Sequence, residues 1–157
     1  MTTKQTLIEM GIDVPSGTQT FGTYVPAKRV GDTIYVSGQL PMKDGKLVAE
    51  GIVGDGVTLG DAQAAARQCV VNALVGVEAA GIGMDNITGV TRVGCFVASA
   101  PDFTDQPQVA NAASELLHEI FGEAGQHVRA AVGVASLPLN AAVEIEFVFE
   151  AANPKSQ

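Results

Sequence analysis

The stretch from Thr58 to Ala80 does most to restrict how this chain can fold. Ala62, Ala65, Ala66, Cys69, Val70, Ala73, Leu74 and Val77 recur at three- and four-residue steps, which predicts a long helix with one wide apolar face. Thr58 is a good N-cap, Asp61 completes a capping-box pattern, and Gly81 ends the helix. Because the face is built largely from alanine, the helix can lie close against a sheet. The remainder of the chain must therefore supply that sheet.

Strands are readily found. The clearest alternation is Val143-Glu144-Ile145-Glu146-Phe147-Val148-Phe149, where residues 144 and 146 face one way and 143, 145 and 147 the other. Asp32–Leu40, Ile87–Ala98, His127–Leu137 and Ala142–Ala151 read as strands, and Thr18–Val25 has strand character too. Pro26–Gly31 reads as a turn, as does Pro41–Lys46, and Leu47–Val53 as a short third strand. Pro107–Phe121 predicts a second helix whose buried face holds Val109, Ala112, Ala113, Leu116, Leu117, Ile120 and Phe121. A short N-terminal helix is expected at about 3–10, capped by Thr2 or Thr3, and a frayed tail at 153–157.

The order, roughly β-β-β-α-β-α-β-β, points to one α+β domain over residues 1–157, with two long helices on one face of a mixed sheet. The opposite sheet face carries apolar and ionisable residues, and a second subunit is its simplest cover.

Composition narrows the function classes. Nine Lys and Arg against 17 Asp and Glu give a net charge of -8, a poor basis for neutralising nucleic-acid phosphates or docking on an anionic membrane. No run approaches the ~18 apolar residues of a membrane span, and the first residues have no signal-peptide core. A soluble cytoplasmic protein is expected. Cys69 and Cys95 sit in apolar runs and read as buried, reduced thiols, and with His118 and His127 they make no zinc spacing. No metal and no organic cofactor is expected. Gly81-Ile82-Gly83 follows a helix and lacks the third glycine of a dinucleotide site, Gly51–Gly56 has no P-loop lysine, and there is no G-x-S-x-G elbow.

The ionisable residues inside strands carry the chemistry. Arg129 lies in a strand otherwise made of Val128, Ala130, Ala131, Val132 and Val134. It either pairs with a carboxylate, points past the sheet edge, or offers its planar fork to a substrate carboxylate. Glu144 and Glu146 either line a solvated face or supply a general base that holds water. Tyr24 and Ser37 are by themselves ordinary strand residues.

Three blocks together resemble the RidA (YjgF-like) family: Tyr35-Val36-Ser37-Gly38-Gln39-Leu40-Pro41, Arg129 to Pro138, and Val143-Glu144-Ile145-Glu146. The similarity covers about residues 18 to 151, and the N-terminal helix and the segment Ser99–Pro107 resemble the longer branch, often labelled endoribonuclease L-PSP. The resemblance implies a chorismate-mutase-like fold of the bacillus type and a homotrimer with clefts between subunits. It implies hydrolysis of enamine and imine intermediates to 2-keto acids and ammonia, on a small carboxylate-bearing imine or keto acid. A non-catalytic carboxylate-binding module of the same fold is the alternative, and RNA cleavage a third reading that the charge disfavours. Position by position, Arg129 matches the arginine that holds the substrate carboxylate and Glu144 the glutamate associated with attacking water. Tyr24, Ser37, Gly38 and Pro138 match cleft positions, and Asn111 a helix asparagine. Thr23 and Pro26 stand where the family has Pro and Gln around that tyrosine, and Ala131 where the deaminase subgroup has Cys.

Overall fold

The computed structural model describes residues 1–18 and 20–153. Its centre is a five-stranded mixed sheet. The strands are β1 (Ala27–Val30), β2 (Thr33–Gln39), β7 (Ile87–Ala98), β8 (Val128–Val134) and β9 (Val143–Ala151), in the order β1-β2-β9-β7-β8. All neighbours are antiparallel except the β7–β8 pair. Between β2 and the first long helix run four two-residue strands: β3 (Met42–Lys43), β4 (Lys46–Leu47), β5 (Ile52–Val53) and β6 (Gly56–Val57). The helices are α1 (Thr3–Glu9), α2 (Leu59–Ala79) and α3 (Gln106–Phe121).

The capping logic of α2 holds. Thr58 Oγ1 accepts from the Asp61 N–H at 3.1 Å, and the Asp61 carboxylate accepts from the Thr58 N–H at 3.4 Å. Thr2 and Gln5 close α1 in the same way. Ala62, Ala65, Ala66 and Ala73 are fully buried, so α2 rests directly on the large side chains that the sheet sends up, Ile34, Ile145, Phe147 and Phe149. Phe147 and Phe149 stack with centroids 5.6 Å apart. Each such fully buried side chain contributes roughly 1.5–3 kcal/mol of transfer free energy. Leu116, Leu117, Val109 and Ala113 of α3 complete the layer. Both long helices lie on the same face, the α+β arrangement expected.

Three local expectations are corrected. Thr18–Val25 forms no strand among the described residues. Its bends are closed by side chains instead: the Phe21 N–H donates to Tyr24 Oη at 3.2 Å, and Ser37 Oγ donates to the Val25 carbonyl at 2.7 Å. Such local bonds compete with ladder pairing. The edge strand begins one residue after Pro26, so most of the segment read as a turn is β1, paired from Ala27↔Val36 to Val30↔Thr33. Leu47–Val53 is not a third sheet strand. It is shared between two small ladders, β3–β4 and β5–β6. Of the expected tail, residues 154–157 lie outside the described residues.

The face away from the helices is open. Val30, Tyr35, Val128 and Val132 lie on it, each 45–67% exposed, beside Arg92, Glu144 and Glu146. No helix is long and apolar enough to cross a membrane among the described residues.

Candidate functional site

Arg129 is the second residue of edge strand β8 and pairs in register with Val93, which is buried on the helix face. Its side chain therefore turns toward α3. Nη1 donates to Asn111 Oδ1 at 2.8 Å and to Ser114 Oγ at 3.1 Å, and Nη2 lies 3.5 Å from the Pro107 carbonyl. Asn111 and Ser114 are one helical turn apart, the spacing that puts both over one strand residue. Arg129 makes no ion pair among the described residues, and it folds back on α3 instead of passing the sheet edge. The guanidinium remains exposed.

Behind Ser114 sits His127. Its Nδ1 is 2.7 Å from the Gly125 carbonyl and its Nε2 2.8 Å from Ser114 Oγ. Gly125 is buried, and a Cβ there would stand 2.5 Å from the Leu117 carbonyl oxygen. Only glycine lets this loop pass so close to α3. Ser114, His118, Gly125, Gln126, His127 and Arg129 line a recess of about 450 Å³.

Ala131 follows Arg129 on the same face, partly buried, with Cys95 as its partner on β7. Burial pushes the Cys95 thiol up to about 12, against the lowering effect of the Arg129 charge. Cys69 is also raised, by burial first and then by Cys95 and Glu144. Both thiols are buried, free and neutral, as the sequence suggested.

The second group of expected residues lies on the other sheet face. Ile145 pairs with Cys95 in the core, so Glu144 projects to the open side with its partner Phe96. Its carboxylate reaches over Gly38, where a Cβ would stand 2.7 Å from Oε2. Half-burial, and after it the charge of Glu146, raises the Glu144 pKa above the ordinary carboxyl value. Glu146 is engaged differently: Arg92 Nη1 donates to its Oε1 at 2.9 Å. Gly38 and Tyr24 line a cavity of about 550 Å³ walled by residues 13–18 and by Gln39, Met42 and Asn72. Ser37 and Tyr24 also border an open-face groove of about 440 Å³ with Tyr35, Arg92 and Glu146. Pro138 opens an exposed turn, Pro138–Asn140, after β8.

One chain thus holds two groups of the expected residues. Arg129, Asn111 and Ala131 lie on the helix side, and Glu144, Gly38, Ser37 and Tyr24 on the open side. Sequence reasoning passed over Ser114, His127 and Arg92. The signals were present: Ser114 is three residues after Asn111 on one helix face, and His127 precedes Arg129 by the two residues that share a strand face. Arg92 was a charge inside an apolar strand, as Arg129 was.

Residues 4–151 match the model of the family described as "YjgF/chorismate mutase-like, putative endoribonuclease". Protein TCP17 of Trypanosoma cruzi is 40% identical over 94% of this chain and 92% of its own. A 2-iminobutanoate/2-iminopropanoate deaminase of Dermatophagoides farinae is 32% identical over 87% of this chain and 92% of its own. A crystal structure of a protein of unknown function from Agrobacterium tumefaciens superposes with TM-score 0.87 at 44% identity, covering 96% of this chain and 92% of that one.

Proposed function

The chain belongs to the YjgF/chorismate mutase-like family, and from that membership we propose that it is an enamine/imine deaminase, hydrolysing small 2-imino acids to 2-keto acids and ammonia. The observation that carries this reading is the state of Arg129. It is exposed, has no carboxylate partner among the described residues, and holds Nη1 on Asn111 and Ser114 while Nη2 reaches the Pro107 carbonyl only at 3.5 Å. Its Nε and Nη2 edge can receive a substrate carboxylate as two parallel charge-assisted bonds. A 32% identical relative bears the deaminase name.

Glu144 is the base in this reading. A carboxylate whose pKa is raised accepts a proton from water more readily than an ordinary one. The water oxygen bonds to the imine carbon while Glu144 takes a proton. Glu144 returns that proton to the carbinolamine nitrogen, the C–N bond breaks with its electron pair leaving on ammonia, and the hydroxyl proton passes back to the carboxylate as the C=O of the 2-keto acid forms. Water enters, ammonia leaves, and no electrons are exchanged.

Arg129 and Glu144 face opposite sides of one sheet, so a cleft containing both needs two chains. We infer a homotrimer in which the open face, with Tyr35, Val128 and Val132 exposed, is covered by the neighbouring subunit. A carboxylate-binding module without turnover is the second reading, favoured by Ala131 at the position where the deaminase subgroup carries cysteine. RNA cleavage fits the net charge of -8 least. The deciding assay generates 2-aminoacrylate in situ and follows pyruvate. Formation above the spontaneous rate supports the deaminase, whereas binding of 2-keto acids without acceleration leaves the module.

A further inference from the structure

We propose that Ser114 and His127 are positioning residues for Arg129, forming a hydrogen-bond relay from the Gly125 carbonyl that fixes which edge of the guanidinium faces a carboxylate ligand. The inference rests on the reading of Arg129 as the carboxylate holder. With the His127 ring neutral, the carbonyl at one end sets donors and acceptors along the relay. The Gly125 oxygen only accepts, so the proton of a neutral His127 ring sits on Nδ1, 2.7 Å away. Nε2 is then bare and accepts from the Ser114 hydroxyl at 2.8 Å. With its proton committed to His127, Ser114 Oγ presents lone pairs and accepts from Arg129 Nη1 at 3.1 Å. Asn111 Oδ1 takes the second Nη1 proton at 2.8 Å. Both Nη1 protons are thereby used, and rotation of the guanidinium would break two bonds at once.

The consequence is directional. A carboxylate can dock only on the Nε and Nη2 edge, where the remaining competitor is the Pro107 carbonyl at 3.5 Å, the outer limit of a hydrogen bond. Without the relay the side chain is free to sample rotamers in which its fork points elsewhere, and the ligand must then order it. The relay is built into the fold. The approach of Gly125 to Leu117 in α3 sets the carbonyl, and His127, the residue just before β8, stands two positions ahead of Arg129 with its Nε2 2.8 Å from Ser114 Oγ.

The test uses the full chain labelled with 15N-arginine, in four versions: parent, Ser114→Ala, Ser114→Thr and His127→Phe. In the parent, a held guanidinium gives separate, slowly exchanging Nη1 and Nη2 signals for Arg129. Ser114→Ala and His127→Phe should merge them, and Ser114→Thr, which keeps the hydroxyl, should hold them apart. In parallel, titration with 2-oxobutanoate should show affinity reduced about fivefold in Ser114→Ala and in His127→Phe, the worth of one ordinary hydrogen bond. The double variant should be no weaker than either single one, because the relay acts as a unit. Averaged signals in the parent, or separate signals surviving Ser114→Ala, overturn the inference. So does unchanged 2-oxobutanoate affinity in Ser114→Ala when Arg129→Ala abolishes it. Unchanged affinity in Arg129→Ala overturns the carboxylate reading itself. The guanidinium signals tell that failure apart from a failure of the relay.

Discussion

Glu144 and Glu146 stand two residues apart on the same face of β9, yet their surroundings separate them cleanly. Glu146 is tied to Arg92 at 2.9 Å, with side chains 45% and 40% exposed. Glu144 has no hydrogen-bond partner among the described residues and reaches over Gly38. The pair of substitutions to glutamine therefore yields opposite patterns. Glu146→Gln removes an exposed ion pair, worth at most about 1 kcal/mol. In a chain of 157 residues that lowers Tm by no more than ~4 °C, and turnover stays within a few-fold. Glu144→Gln removes the proposed base, worth roughly 10²–10⁴ in turnover, or about 2.7–5.4 kcal/mol of barrier. It does not lower Tm at neutral pH, because the charge it deletes is penalised by burial.

The pH dependence follows from the direction of the Glu144 shift. Its folded pKa is raised, so the protonated carboxyl contributes stability that is fully present below the ordinary value of 4.5 and is lost as pH rises through the folded value. Glu144→Gln lacks that loss. Its stability relative to the parent should rise over this window and level off above it. Thermal melts from pH 4 to 8 and the pyruvate assay at pH 7.5 read both effects. Loss of turnover in Glu146→Gln with none in Glu144→Gln would refute the assignment. A Tm deficit in Glu144→Gln that grows with pH would refute the electrostatic account.

Light scattering should give about 48 kDa, three times the 16.1 kDa chain, and a monomer at micromolar concentration would remove the proposed cleft. Arg129→Lys keeps the charge but not the fork, so 2-oxobutanoate affinity should fall roughly 10- to 150-fold, the worth of one charge-assisted bond; unchanged affinity would make Arg129 structural. Gly38→Ala places a methyl 2.7 Å from Glu144 Oε2 and should cut turnover by displacing the carboxylate while binding of 2-oxobutanoate persists. Both cysteines are buried, with Cys95 raised to about 12, so a thiol reagent at pH 8 should label neither in the native chain and both after unfolding; rapid native labelling would contradict the burial.

The long elements were legible because each carries its period over many residues. The faces of α2, α3, β7 and β9 follow from three- and four-residue or two-residue repeats, and caps such as Thr58 with Asp61 mark their ends. The failures cluster between Thr18 and Val53, where segments are short. Thr18–Val25 has the residues of a strand, but Tyr24 and Ser37 spend their hydroxyls on the Phe21 and Val25 backbone. Those bonds join groups up to 12 residues apart, beyond the reach of a local pattern. Ala27–Val30 has weaker strand character and becomes β1 because β2 offers it a free edge. Pairing, more than propensity, decides such four-residue strands.

The site was legible as a set of residues and not as an arrangement. Alternation along β9 separates Glu144 from Ile145, and alternation along β8 separates Arg129 from Ala130. Neither says whether Glu144 and Arg129 share a side. That depends on register through β7, where Cys95 pairs with both Ala131 and Ile145. Cys95 is in the core, so Ala131 and Arg129 join it on the helix side, and Glu144 must take the other. A shift of one residue in either ladder would have put base and anchor on one face, within reach of the same bound molecule. As the ladders stand, each chain offers the two halves of the proposed site on opposite sides of its sheet. For a protein that hydrolyses imines by this route, association is then a requirement of the chemistry.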